Sequence, residues 1–131
     1  MKSRWPAVAT LVVVVLLSAS SLLAHHGNAA FDVGKKVTVK GTVTEWLWAN
    51  PHCWLKFDAK DDNGNAVHWV AESNNSSDML EKGWSKHTLA VGDNVTVTLE
   101  PVKNGKPVGR LLEVVLPNGR TLGMAYLKKS E

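Results

Sequence analysis

Through most of the chain, apolar and polar residues alternate, and this period of two is typical of half-buried β-strands. The longest alternating run, residues 36–49, places its valines and Leu47 on one face and its threonines, Trp46 and Trp48 on the other. Gly41 interrupts the run, and a glycine inside a strand often marks a bulge or a bend. A bulge swaps the faces downstream of it, so the outward placement of Trp46 and Trp48 depends on where the strand bends.

Turn residues divide the rest of the pattern into separate elements. Asn50-Pro51 ends the first strand, because proline has no N–H for the ladder, and the Asp-Asn-Gly sequence at 62–64 predicts a hairpin. Polar residues at 73–77 offer caps for one short helix, which Gly83 is placed to end. The strands are predicted at 36–49, 53–60, 65–72, 94–101, 107–116 and 120–124, and the helix at 78–82.

This element order predicts an all-β fold, a small OB-fold-like barrel of five to six strands with one short helix between strands 3 and 4. A glycine in a long first strand suits such a barrel, because its first strand bends to join both sheets. The alternative is a small open sandwich of the same strands.

The first 24 residues have the layout of a signal peptide, so we expect export, to the periplasm or beyond. Lys2 and Arg4 precede an apolar stretch, residues 7–17, that is shorter than the roughly 20 residues of a membrane-spanning helix. Cleavage after Ala24 leaves a mature domain, residues 25–131, without a stable membrane anchor. Cleavage after Ala29 is the second choice.

The charge of the predicted mature chain excludes a nucleic-acid partner. Two of the 15 basic residues and none of the 12 acids lie in the leader, which lowers the net charge from +3 to +1. The remaining lysines are scattered among acids, whereas nucleic-acid binding favours a basic stripe. The single cysteine, Cys53, cannot form an internal disulfide and is expected to be a small buried apolar group.

A mature chain that starts at His25 has metal-binding chemistry at its first residue. The α-amine and imidazole Nδ1 of one histidine can chelate an ion together, and a third nitrogen completes a set suited to Cu(II). His26 offers a second mode through the amine, the intervening amide and its own imidazole. The alternative is that both histidines form a polar, disordered start to the chain.

Two further histidines are candidates for the third ligand. His52 follows the Asn50-Pro51 turn and His68 lies in the third strand, and both have the outward parity of the predicted hairpin. The alternative is that His52 caps the strand end through backbone hydrogen bonds and that His68 is a surface residue.

Tryptophans suggest a second kind of binding site. Three of them, Trp46, Trp48 and Trp54, have outward parity near His52 and His68, on the side where OB-folds bind ligands. Exposed aromatic rings stack on small molecules or sugars or cover a protein partner. A bulge that turns the first two inward is the alternative.

No nucleophile elbow, phosphate loop or zinc-protease motif occurs in the chain, which favours a binding protein over an enzyme. A copper-dependent enzyme is a third hypothesis, although nothing in the sequence identifies a substrate.

The sequence resembles a group of small exported bacterial proteins classed as a domain of unknown function. The likeness rests on the His25-His26 start, "VTVKGTVTEWLWANPH" at 37–52, the strand around Trp69, "KGWSKHTL" at 82–89 and "VGDNVTV" at 91–97. It covers nearly the whole mature chain, and Cys53 departs from the pattern. The resemblance implies export and a compact β-barrel and brings no established activity, ligand or catalytic residue.

Overall fold

The computed structural model describes residues 30–125, and all of these from Phe31 onward belong to one compact unit. Within this range the chain forms six strands and one helix. They are β1 (Val37–Leu47), β2 (Trp54–Lys60), β3 (Ala66–Glu72), α1 (Ser76–Glu81), β4 (Asn94–Pro101), β5 (Val108–Val115) and β6 (Thr121–Gly123). The described part of the chain contains no helix whose length and apolarity would let it span a bilayer.

Five strands close into a barrel, which confirms the predicted OB-like, all-β fold. The long strand β1 pairs through its first half with β4 and through its second half with β2. The meander β1-β2-β3 and the hairpin β4-β5 are antiparallel, and a parallel pairing of β3 with β5 completes the ring. β6 is an additional short strand on β5, and α1 is the single helix between β3 and β4.

At Gly41, where β1 bends, the backbone of β1 lies so close to β2 that only glycine fits. A Cβ atom on Gly41 would lie 2.5 Å from the carbonyl oxygen of Asp58 and 2.8 Å from the Phe57 ring. Both values are shorter than any ordinary contact, so a side chain would push β1 away from β2. The glycine lets β1 cross from one sheet to the other without a gap in the core.

A bulge three residues later decides which side chains of β1 enter the barrel. The β1–β2 register shifts between Val43 and Glu45, so the bulge lies at Thr44 and not at Gly41. The inward face therefore passes from Val43 to Trp46, and Leu47, which alternation alone places in the core, is 42% exposed. The expectation for Leu47 was wrong because alternation cannot register an inserted residue.

The helix is short and is defined by its caps. The Oδ1 atom of Asn75 accepts the backbone N–H of Asp78 at 2.9 Å, which satisfies one of the free donors of the first turn. Gly83 follows the C-cap residue Lys82 and has a φ of 87°. Helices commonly end with a glycine in this left-handed conformation. The fully buried side chain of Met79 joins α1 to the barrel core, a burial that stabilises the fold by roughly 1.5–3 kcal/mol.

The core contains apolar side chains from all six strands and from α1, together with side chains from the loops that precede β2 and follow α1. The largest fully buried members are Trp84, Phe57, Leu55, Met79, Leu99, Leu111, Val43, Val97, Val114 and Cys53. Trp84 is 1% exposed, and its Nε1 donates to the carbonyl oxygen of Gly123 at 2.9 Å, so its one polar atom is satisfied. The predicted burial of Cys53 is confirmed, and this burial raises the pKa of its thiol.

Candidate functional site

The loop between β1 and β2 is fastened to the segment that leads into α1. The Oδ1 atom of Asn50 accepts the backbone N–H and the hydroxyl of Ser76, each at 2.9 Å. The backbone N–H of Cys53 donates to Asn74, and that of Ser73 donates back to Cys53, at 2.9 and 3.0 Å. These bonds fix both flanks of His52, which the cis Asn50–Pro51 peptide precedes.

His52 presents one ring nitrogen to the protein. Its Nδ1 lies 2.9 Å from the carbonyl oxygen of Ser73 and 3.3 Å from Oε1 of Glu72. A carbonyl oxygen only accepts, so Nδ1 carries the proton in this contact and donates it. In the neutral ring the lone pair is then on Nε2, and the side chain is 45% exposed. This is the arrangement of a metal-binding histidine whose other nitrogen is held by a carbonyl or a carboxylate.

The backbone hydrogen bond predicted for His52 at a strand end is therefore present. It leaves Nε2 as a candidate ligand atom, so the capping role and a ligand role are compatible. The edge of the His52 ring also faces Trp54, with ring centroids 6.2 Å apart and planes at 69°.

A row of outward side chains links His52 to the point where the chain enters the barrel. Glu72 on β3 lies beside Arg110 on β5 in the strand register, and Arg110 donates to Oε2 of Glu100 on β4 from Nη2 at 3.0 Å and from Nε at 3.2 Å. The guanidinium carbon of Arg110 is also 4.8 Å from the centre of the Phe31 ring, within the range of a cation–π interaction.

Phe31 is itself held in place by backbone contacts. It forms a β-bridge with Val102, and the next residue, Asp32, donates its N–H to Pro101 at 2.9 Å. Its side chain is buried, so the chain is anchored here, at the start of the barrel. Sequence reasoning missed Phe31 because an isolated aromatic before the first strand has no periodic pattern around it.

His68 forms a separate pair on the same outer surface. Its Nδ1 is 2.6 Å from Oδ1 of Asp58, the residue opposite it on β2, and its side chain is 79% exposed. The Asp58–His68 pair is four rungs along the β2–β3 ladder from the pair of Trp54 with Glu72, about 13 Å. His52 and His68 share the outer face as predicted, but the structure does not bring them together.

No group of three or more His, Cys, Asp or Glu side chains within residues 30–125 is arranged to hold a metal ion. His25 and His26 lie outside the described residues, so their ligand role stays a prediction. Glu45 on β1 forms an ion pair with Lys56 on β2, at 2.5 Å.

The three tryptophans predicted to face outward are divided between the core and the surface. Trp46 and Trp48 are partly buried and pack against the core, with ring centroids 5.8 Å apart. Trp46 also lies 5.7 Å from Trp84, and its Nε1 donates to the carbonyl oxygen of Ser85 at 3.0 Å. The bulge at Thr44 turns Trp46 inward, so the prediction that Trp46 and Trp48 face outward is corrected. Of the three tryptophans, Trp54 alone keeps its predicted outer position, beside Leu47.

Comparison with known proteins gives a family and no function. The model of a family of unknown function, DUF6152, matches residues 12–111, more than half of the chain. The chain belongs to this family. No curated protein and no solved structure matches the chain.

Proposed function

We propose that this protein is an exported binding protein that holds one copper ion between its mature N-terminal histidine and His52. The α-amine and the imidazole of His25, or the corresponding atoms of the His25-His26 pair, supply the chelate, and Nε2 of His52 supplies the third nitrogen. The single observation that carries the proposal is the His52 geometry, in which Nδ1 is hydrogen-bonded and Nε2 is left for a ligand.

The donor set fits copper better than the other common divalent ions. Three nitrogen ligands in a tetragonal arrangement favour Cu(II), and copper stands highest in the affinity order for such sites. The Ser73 carbonyl and the Glu72 carboxylate, which hold Nδ1 of His52, supply the outer contacts that orient a metal-binding imidazole.

The place where the chain enters the barrel supports the proposal. His26 is five residues before the anchored Phe31, and an extended segment of that length reaches about 17 Å. Phe31 lies against Arg110, and Arg110 is two strand spacings from Trp54, about 10 Å. The segment that carries the histidines therefore joins the barrel at one end of the row formed by Phe31, Arg110 and Glu72, and His52 contacts the other end of that row.

Two finer proposals accompany the copper site. Export follows from the leader-like residues 1–24 and would place the protein in the periplasm or outside the cell, where an N-terminal histidine is freed by cleavage. The His25-His26 start and the Asn50-Pro51-His52 turn are proposed to be the functional signature of the family.

A Cu(II) titration by calorimetry tests the proposal, on protein whose intact mass shows a start at His25. We expect one ion per chain and an affinity that falls at least tenfold in His52→Ala, since even outer-shell changes cost about 10–100-fold. The copper affinity of Glu72→Gln should fall by a factor within that range, because the substitution weakens the contact that orients His52 and does not remove the ligand. His68→Ala is the matched control and should bind as the wild type does. Equal affinities for wild type and His52→Ala would contradict the proposal.

A second candidate function rests on the outer pair of Trp54 and Leu47. These side chains are adjacent in the β1–β2 register beside the His52 ring, and together they offer an apolar surface to a small molecule, a glycan or a protein. This function predicts binding that survives EDTA and is lost in Trp54→Ala.

A further inference from the structure

An open depression forms where β1 and β2 separate. Their pairing begins at Thr42 and Asp58, and before Thr42 the strand β1 pairs with β4 instead. Ala59 and Lys60, at the end of β2, pair with β3. The diverging strands border a space of about 810 Å³, within the size range of small-molecule sites.

The depression has an apolar floor and a cationic rim. Ala59 and Val95 are buried, and Leu116 is half-buried, so the floor is formed by aliphatic side chains. Lys40 and Lys60 are exposed on the rim, on the two strands that diverge. A ligand with an apolar body and a charged end would match this division.

The charges around the depression favour an anion. Among residues 30–125, neither Lys40 nor Lys60 has a carboxylate oxygen within 4.0 Å. Asp58, the one acid in the lining, is held by His68 at 2.6 Å. Asp61, on the neighbouring turn, accepts three hydrogen bonds from Asn63 and Asn65.

The neutral polar groups of the lining add a donor. The hydroxyl of Thr42 donates to Oδ1 of Asn94 at 3.0 Å, which leaves the amide nitrogen of this lining residue as a donor. Two ammonium groups and an amide that border the same aliphatic floor can bind a carboxylate through charge-assisted hydrogen bonds.

We propose that this depression is a binding site for a small organic carboxylate with an apolar body. It is independent of the copper proposal, because Lys60 lies at the opposite end of β2 from Trp54, six residues or about 20 Å away, and His52 precedes Trp54. Lys40 and Lys60 bind the carboxylate, Asn94 donates to it, and the apolar body lies on Ala59, Val95 and Leu116.

Benzoate is the probe, and backbone amide shifts of ¹⁵N-labelled protein are the measurement. Saturable shifts are expected at Gly41, Ala59 and Val95. The double variant Lys40→Gln/Lys60→Gln should weaken benzoate binding at least about tenfold, since hydrogen bonds to charged groups are the strong ones. Benzyl alcohol has the ring of benzoate without its charge. Its affinity for the wild type should be no higher than the affinity of benzoate for the double variant.

A matched control separates a specific site from general charge. Lys86→Gln/Lys103→Gln removes the same charge from exposed loop positions outside the depression and should bind benzoate like the wild type. If benzoate binding is weakened equally in both double variants, the effect comes from the overall charge of the protein and the proposal is overturned. Equal binding of benzoate and benzyl alcohol, or benzoate shifts confined to residues outside the depression, would also overturn it.

Discussion

Replacing Gly41 by alanine tests whether the bend of β1 holds the barrel together as the structure indicates. The added Cβ would meet the Asp58 carbonyl at 2.5 Å and the Phe57 ring at 2.8 Å. The nearer atom belongs to the backbone, so the clash cannot be relieved by rotating a side chain. The strands β1 and β2 have to move apart where their pairing begins.

The expected cost combines two opposing effects. Overpacking of this kind destabilises by about 1–3 kcal/mol, and the smaller conformational entropy of alanine in the unfolded chain offsets about 0.4–1 kcal/mol of that. We expect a net loss of about 1–2 kcal/mol, which lowers the Tm of a domain of this size by about 4–16 °C.

Gly123→Ala is the matched control for this experiment. Its Cβ would lie 3.7 Å from the Leu112 carbonyl, an ordinary contact, so this change should be neutral or stabilise by up to about 1 kcal/mol. Urea unfolding followed by tryptophan fluorescence measures both variants. The reasoning is refuted if Gly41→Ala unfolds at the urea concentration of the wild type, or if Gly123→Ala loses as much stability as Gly41→Ala.

Three further predictions concern single side chains. Because burial raises the pKa of the Cys53 thiol, iodoacetamide should label it only when the protein unfolds, and prompt labelling of the native protein would contradict its burial. Hydrogen bonds, chiefly from the Asn65 backbone, hold the pKa of Asp61 below its ordinary value of 3.8. Its contribution to stability should therefore be complete above pH 3.8 and be lost as the pH falls through the lower native value, so Asp61→Asn should flatten the acid limb of a stability–pH curve. Phe31→Ala removes the ring beneath Arg110 and should weaken copper binding by loosening the N-terminal segment, while an unchanged affinity would show that the anchor does not serve the site.

Local sequence signals predict most of this fold, because strands and turns depend on neighbouring residues. The alternation in β2 and β3 and the glycine turn between them lie where the sequence places them. The parallel pairing of β3 with β5 joins segments that are far apart in the sequence. The order of the elements predicts this pairing only because the OB-fold barrel has the same order.

The bulge in β1 shows where local reasoning fails. Gly41 was the natural place to expect it, but the glycine accommodates a close approach and the extra residue is Thr44. Nothing about a threonine among alternating residues marks it as inserted, so Trp46 and Leu47 exchange faces without a sequence signal. The partners of His52 are similarly non-local, because Glu72 and Ser73 reach it only through the β2–β3 pairing.

The EPR spectrum of the copper-loaded protein tests the central proposal most directly. It should be recorded on protein whose mass shows a start at His25 and on a variant extended by Gly-Ser-Gly before His25, which moves the α-amine away from the imidazole. We expect nitrogen superhyperfine structure in the first protein that changes in the extended variant and in His52→Ala. Identical spectra for all three would contradict a site that joins the mature N-terminus to His52.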